Sequence, residues 1–300
     1  MAHEHEHAAT TYDRAFAVGV GLNLSFVAVE VVFGIFAGSL ALVADAGHNL
    51  SDVLSLVLAW GAMVLGRRVP TVRRTYGLRR SSILAALANS LSLLFVIGGV
   101  TWEAVRRLSE PAPVDGATMI VVATIGVIIN GATAMLFLSG RRRDANLRGA
   151  FLHMTSDAAV SLGVVVAGIL ILATGWLWLD PAVSLLVSAV ILVGTWGLLR
   201  DSLNLALDAV PDRIDPMAVR NYLINVHGVV DVHDLHVWGM STTETALTAH
   251  LVMGEIVAYD SFLAVVGVEL HERFEIDHTT IQLELGDPEH PCVLAPAHSV

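Results

Sequence analysis

The sequence contains no lysine: all 17 of its basic residues are arginine. No physical requirement of the chain explains that choice. Cysteine is almost absent as well, and the single Cys292 excludes an intramolecular disulfide framework. The N-terminus, MAHEHEHAATTYDR, lacks the basic n-region of a signal peptide, so the first apolar stretch is expected to be retained. Charge itself is scarce. Only 15% of the 300 residues are charged while 55% are hydrophobic, far from the balance of an ordinary soluble domain.

Apolar runs of about 20 residues fill the space that charge leaves, and runs of that length mark membrane helices. Six are expected, at residues 15–38, 40–66, 82–105, 117–139, 147–174 and 177–199. The character changes after residue 208. Residues 209–300 hold 14 of the 28 acids and three of the 17 arginines, so the entire net charge of −11 falls on that segment. Such an acidic domain argues against nucleic acid as a partner and suits a metal cation. The expected organisation is an arm at 1–14, an all-α transmembrane domain at 15–208 and a cytoplasmic domain at 209–300. Arginine sets the orientation: the loop GRRVPTVRRTYGLRR (66–80) carries six and GRRRDANLR (140–148) carries four. Both belong in the cytoplasm by the positive-inside rule, which leaves both termini inside. Arg106 and Arg107, beside the outer loop SEPAPVDG, are a minor contrary signal.

Of 13 histidines, only His48 and His153 fall inside the expected spans, and each is followed four residues later by an aspartate. HNLSD supplies His48 and Asp52 in span 2; HMTSD supplies His153 and Asp157 in span 5. Residues four apart share one face of a helix. Two such helices facing each other converge two imidazoles and two carboxylates, a shell that tetrahedral Zn²⁺ accepts. Two carboxylates and one Zn²⁺ sum to zero, so the loaded site is neutral. The empty site holds two close negative charges, and protons are expected to replace the metal. The bland alternative is that each pair is a helix-interface hydrogen bond or a pore-lining polar patch, but ionisable residues inside a membrane are functional by default. Asp45 reads equally as an access-path residue or a helix-start cap. Glu30, Asn23, Asn89, Glu103 and Asn130 read as packing or cavity contacts. Counted from the span ends, the span 2 pair lies nearer the outside and the span 5 pair nearer the inside. That implies a misplaced span end.

The chain resembles the cation diffusion facilitators, of the cobalt–zinc–cadmium resistance type related to animal zinc transporters. The resemblance rests on GSLALVADAGHNLSDVLSL (38–56), LAALANS (84–90), GVIINGATA (126–134), LRGAFLHMTSDAAVSLGVVVAG (147–168), DPAVSLLVS (180–188) and VHDLHVWGMS (232–241). It implies a homodimeric secondary transporter that exchanges cytoplasmic Zn²⁺ for protons, with His48, Asp52, His153 and Asp157 as the transport site. Some members carry DxxxD in span 2, and the histidine here resembles the zinc-preferring branch. Some also bind metal in the loop after span 2 through Asp and His; this loop has neither.

Residues 209–300 read as αββαβ, with helices at 215–226 and 259–274 and strands at 229–238, 244–253 and 278–285. Helices on one face of a sheet follow, and the resemblance implies a dimerising, ferredoxin-like domain. It also implies that His233, His250 and Glu284 are cytoplasmic zinc ligands and that His290 and Cys292 lie where members carry tail thiolates. Taken from the residues alone, these histidines are also readable as solvated surface groups. Strand alternation puts His236 on the opposite side from His233. His3, His5 and His7 in HEHEH read as a metal-gathering arm able to complete a site in the partner subunit, although a cloning remnant has the same composition.

The reading is therefore not an enzyme but a membrane exporter of zinc, with cadmium and cobalt sharing the ligands. An intramembrane metallohydrolase needs an open coordination position and a base, whereas two His and two Asp already fill four positions. A metal receptor that does not transport is the third reading, and flux alone separates it.

Overall fold

The computed structural model describes residues 21, 24–138, 145–254, 258–287 and 289–295. His3, His5, His7, Asn23 and His298, together with residues 139–144, lie outside them. Helix α1 is described over Leu24–Ala37. It is followed by α2 (Leu40–Gly66), α3 (Ser81–Ser109), α4 (Gly116–Phe137), α5 (Ala145–Thr174) and α6 (Leu179–Ala206). Among the described residues five helices, α2 to α6, are long and apolar enough to cross a membrane, and α1 is shorter. Helix α6 runs seven residues past its expected end. Hydropathy drops at Arg200 and Asp201, but Leu205 packs so closely on Gly239 that a Cβ there would lie 2.8 Å from Leu205 Cδ2.

The chain divides into two compact units, residues 1–57 with 89–196 and residues 58–88 with 197–300, so the division falls within α2, α3 and α6. In the first unit, Phe26, Leu42, Met119, Val122, Val164 and Ile171 form one core between α1, α2, α4 and α5. Ala44, Leu93, Ile97, Val187 and Ile191 form another between α2, α3 and α6. Helices α4 and α5 approach closely at glycines: a Cβ on Gly168 would lie 2.8 Å from Ile120 Cγ1 and 3.2 Å from the Gly116 carbonyl. Small residues at helix contacts are the usual device where lipid supplies no hydrophobic force between helices. The outward faces are as apolar as the cores, with Phe95 85% and Trp102 78% exposed. Faces of that kind belong in lipid.

The start of α2 is held from a distance. Gly38 takes φ +67° in the turn after α1. Asp180, fully buried in the first turn of α6, then accepts from Ser39 Oγ (2.6 Å), Leu40 N (2.9 Å) and Ala41 N (3.2 Å). Helix N-termini carry amides without partners, and a carboxylate satisfies them best. Asp115 caps α4 locally, accepting from the Ala117 and Thr118 amides.

In the second unit α7 (Pro216–Ile224) begins at the N-cap Asp215 with proline at its first position. Strands β1 (Val229–Gly239) and β2 (Thr245–Met253) pair antiparallel, and β3 (His278–Glu284) returns through α8 (Tyr259–Phe274) to lie parallel to β2. The order αββαβ is as expected; the sheet, in the order β1-β2-β3, has three strands among the described residues. Val219, Leu223, Leu247, Leu251, Val266 and Leu270 form its core against both helices. The arginine-rich loop after α2 belongs to this unit. Arg79 pairs with Glu244, Arg80 with Asp208, and Tyr76 meets His278 edge-on at 5.7 Å.

Candidate metal centres

His48 and Asp52 on α2 meet His153 and Asp157 on α5. One ligand atom from each lies within 4.8 Å of all the others. The shortest contacts run across the helices: His153 Nε2 to Asp52 Oδ2 is 3.3 Å and His48 Nε2 to Asp157 Oδ1 is 3.4 Å. The contacts within each helix are longer, 3.8 Å for His48–Asp52 and 3.6 Å for His153–Asp157. A Zn²⁺ held tetrahedrally by N and O at about 2.0–2.2 Å has edges of about 3.3–3.6 Å. Three of the four separations fall in that range and the fourth, His48–Asp52, lies just above it; Asp157 turns a different oxygen to each histidine. The imidazoles stand edge to face, 5.9 Å apart. Exposure is graded: the side chains of His153 and Asp52 are 41% and 34% exposed, His48 22%, and Asp157 only 2%.

The mismatch in depth does not come from a misplaced span end, since α2 and α5 end within two residues of expectation. The helices are staggered instead. His48 stands eight residues into α2, whereas α5 continues 17 residues beyond Asp157, and Ala41 and Leu42 pack beside Val164 and Ala167.

Asp45 does not cap α2, which begins five residues earlier; that role falls to Asp180. It is fully buried and accepts from Ser161 Oγ at 2.8 Å. Asn49 Nδ2 donates to Glu30 Oε2 at 3.1 Å. Asn89 bonds Ser51 and Ser55 between α3 and α2, a packing role as expected. Sequence reasoning did not single out Asn49, Ser161 or Asp180. Helical spacing could have found Ser161, which stands one turn past Asp157.

A second group gathers on the sheet: His233 of β1, His250 of β2, Glu284 of β3 and Cys292, all half-buried, with ligand atoms within 4.8 Å of one another. His250 Nδ1 lies 2.9 Å from Glu284 Oε1 and 3.4 Å from Cys292 Sγ, and His233 Nε2 lies 3.3 Å from Glu284 Oε2. Burial works to raise the Glu284 carboxyl, but hydrogen bonds from Cys292 and Gln282 and the two imidazoles hold it below its ordinary value. The Leu294 amide lowers the Cys292 thiol, yet desolvation and the carboxylates of Glu284 and Asp234 leave it above its ordinary value. Metal binding here must displace that proton.

His290 stands apart from this group, 81% exposed and bonded to Asp287 at 2.9 Å. The expectation for His236 is overturned. A bulge between His233 and His236, with Asp234 at φ +49°, inserts an extra residue into β1. His233 then opposes His250 and His236 opposes Thr248, which puts both histidines on one face. Asp234 bridges them, 2.9 Å from His236 Nε2 and 3.5 Å from His250 Nε2.

Residues 16–205 match the family described as Cation efflux transmembrane domain, and residues 211–285 match Cation efflux protein, cytoplasmic domain. The chain belongs to the cation efflux family. This cation efflux protein is 36% identical over 296 residues to the metal cation efflux system protein CzcD of Cupriavidus metallidurans, covering 98% of this chain and 92% of that one. To the zinc transporter ZitB of Escherichia coli it is 35% identical over 291 residues, 95% and 93% of the two chains. A Bacillus subtilis protein named cadmium, cobalt and zinc/H(+)-K(+) antiporter is 31% identical over 295 residues, 97% and 94%. Both metal groups fall within the aligned families except Cys292, which lies seven residues beyond the cytoplasmic match.

Proposed function

We propose that this chain is a secondary transporter that exports Zn²⁺ from the cytoplasm in exchange for protons, by alternating access around His48, Asp52, His153 and Asp157. The observation that carries the reading is the crossed group itself: two imidazoles and two carboxylates from α2 and α5 at tetrahedral spacing. The relatives' names support zinc as cargo, and the antiporter's name supports exchange for protons. Cadmium and cobalt share these ligands.

The cycle follows from charge. Zn²⁺ cancels Asp52 and Asp157, so the loaded group is neutral. After release two carboxylates face each other in a low dielectric, and protons must cancel them before the group moves back. Because the ligands are split between two helices, access changes when α2 and α5 shift together. The greater exposure of Asp52 and His153 supports metal arriving from their side. In the proposed orientation that is the cytoplasm: Asp52 lies nearer than His48 to the end of α2 that leads into the six-arginine loop, and the positive-inside rule assigns the loop to that side. Six spans, with α1 as the first, leave both termini inside.

The second group is proposed as a cytoplasmic zinc site with regulatory and dimer-forming roles, in a ferredoxin-like domain that pairs two subunits. Bound cations relieve the repulsion of its −11 charge. His3, His5 and His7 gather metal toward it.

The test is zinc uptake into proteoliposomes with an internal pH dye. An inward proton gradient is expected to drive Zn²⁺ outward, and Asp157→Ala abolishes flux while the cytoplasmic group still binds metal. Zinc movement without counter-movement of protons, stoichiometric binding without flux, or full activity in Asp157→Ala overturns the mechanism.

A further inference from the structure

Beyond the four ligands, on the side away from Asp52 and His153, α1 and α2 bury a second pair of carboxyls. Asp45 lies one turn before His48, and Ser161 one turn after Asp157. Glu30 of α1 comes within hydrogen-bonding reach of Asp45. Both residues are fully buried. Each has one oxygen satisfied: Glu30 Oε2 by Asn49 Nδ2 at 3.1 Å, Asp45 Oδ2 by Ser161 Oγ at 2.8 Å. The other two, Glu30 Oε1 and Asp45 Oδ1, have no donor among the described residues.

Two ionised carboxylates cannot stay in contact in so dry a place without a cation, and an unpaired buried acceptor forfeits its hydration energy. One proton shared between the two carboxyls cancels one of the charges and supplies a donor where the pair has none. A dehydrated metal is a poorer occupant. Zn²⁺ needs about four ligands, and the remaining oxygens are already taken by Asn49 and Ser161. Glutamine or asparagine in place of either acid supplies an N–H where the proton sits, so the amide variants mimic the protonated pair without altering its size.

We propose that Glu30 and Asp45 form a second proton-binding site, separate from the four metal ligands, that holds one shared proton while its side of the membrane domain is sealed. The charged groups facing it are His48 of α2 and Asp157 of α5. When that side opens to water, the cost of the second charge falls and the proton leaves from between the two oxygens, giving two hydrated carboxylates. The site thus couples sealing to proton occupancy. Its role in a cycle rests on the transport reading; its occupancy does not.

Infrared difference spectra of the full-length protein in detergent, loaded with Zn²⁺ at neutral pH, test the site directly. Zinc displaces protons from its own ligands, so a protonated-carboxyl band that persists belongs elsewhere. The band is expected in the wild type and is lost in both Glu30→Gln and Asp45→Asn. Its absence from the loaded wild type, or its persistence in both variants, overturns the proposal. The proteoliposome assay separates the two readings: a wild type that keeps the band but moves no zinc refutes transport and leaves the proton site standing.

Discussion

Replacing Asp180 by alanine probes how α2 is held, without touching a metal ligand. The substitution strips the acceptor from Ser39 Oγ, Leu40 N and Ala41 N, at a position with no access to water. Hydrogen bonds to a charged group contribute about 1.5–3 kcal/mol each. Removing the buried charge returns part of that, because the carboxylate's own desolvation disappears with it. Ser39 Oγ, which already accepts from Leu42 N at 3.2 Å, retains one local partner. The expected net loss is about 3–5 kcal/mol, and Asp180→Asn, which keeps one carbonyl acceptor, is expected to lose about half as much. At about 2–4 °C per kcal/mol the alanine variant unfolds roughly 6–20 °C earlier, read by circular dichroism of the detergent-solubilised chain. Ser39→Ala, with the carboxylate still bonded to both amides, is expected to cost only about 1 kcal/mol. An Asp180→Ala midpoint within about 2 °C of wild type refutes the reasoning, because the amides must then find other partners and the contact from α6 does not set where α2 begins.

Replacing His48 by aspartate makes the shell harder and more negative, so selectivity is expected to relax toward Cd²⁺ or Mn²⁺ in competition uptake; an unchanged metal profile removes His48 from the ligand set. In an Asp157→Ala background, Glu284→Ala is expected to weaken calorimetric zinc binding by more than about 10-fold and His290→Ala by less than about 2-fold, since outer-shell losses alone reach 10-fold. Gly168→Ala forces a methyl to 2.8 Å from Ile120, and overpacking of that kind costs about 1–3 kcal/mol in thermal unfolding. The Thr118 hydroxyl, with the Thr118 and Ala117 amides, holds the Asp115 carboxyl below its ordinary value. Its contribution is therefore complete above the unfolded-state pKa of about 3.9 and is lost as pH falls through the lower folded value. Asp115→Ala is expected to cost up to about 1 kcal/mol at neutral pH, and the two unfolding midpoints converge in acid.

The two HxxxD pairs were legible because helical spacing is local: four residues apart means one face, whatever the rest of the chain does. How they meet was not legible. That the shorter contacts run between His48 and Asp157 and between His153 and Asp52 depends on the stagger of α2 against α5, in which Leu42 and Val164 share one core. The boundaries of α7, α8 and the three strands were readable to within two residues, since each is flanked by turn residues or charge. His236 was misread for a physical reason. Alternation assumes one residue per step, and the bulge at Asp234 adds one more. Asp180 stood in a quoted motif, but its partners lie about 140 residues away, and nothing local connects an acid in the first turn of α6 to the amides of α2.

The placement of the lone thiol follows the same chemistry that separates the two groups. In the proposed cycle a transported ion must leave its ligands on every turnover, so the transmembrane shell cannot hold zinc too tightly. Imidazole and carboxylate suit that need; thiolate, the softest ligand available to a protein, binds Zn²⁺ more strongly. Cys292 is the only cysteine in 300 residues, and it joins the group on the sheet rather than the group between the helices. A second difference acts in the same direction. The transmembrane ligands are split between two separate helices that the proposed cycle moves, whereas His233, His250 and Glu284 sit on three hydrogen-bonded strands of one sheet. Ligands fixed to a shared sheet lose little freedom on binding, and slow release follows from that preorganisation. In the proposed scheme zinc on the sheet is therefore expected to exchange more slowly than zinc between the helices.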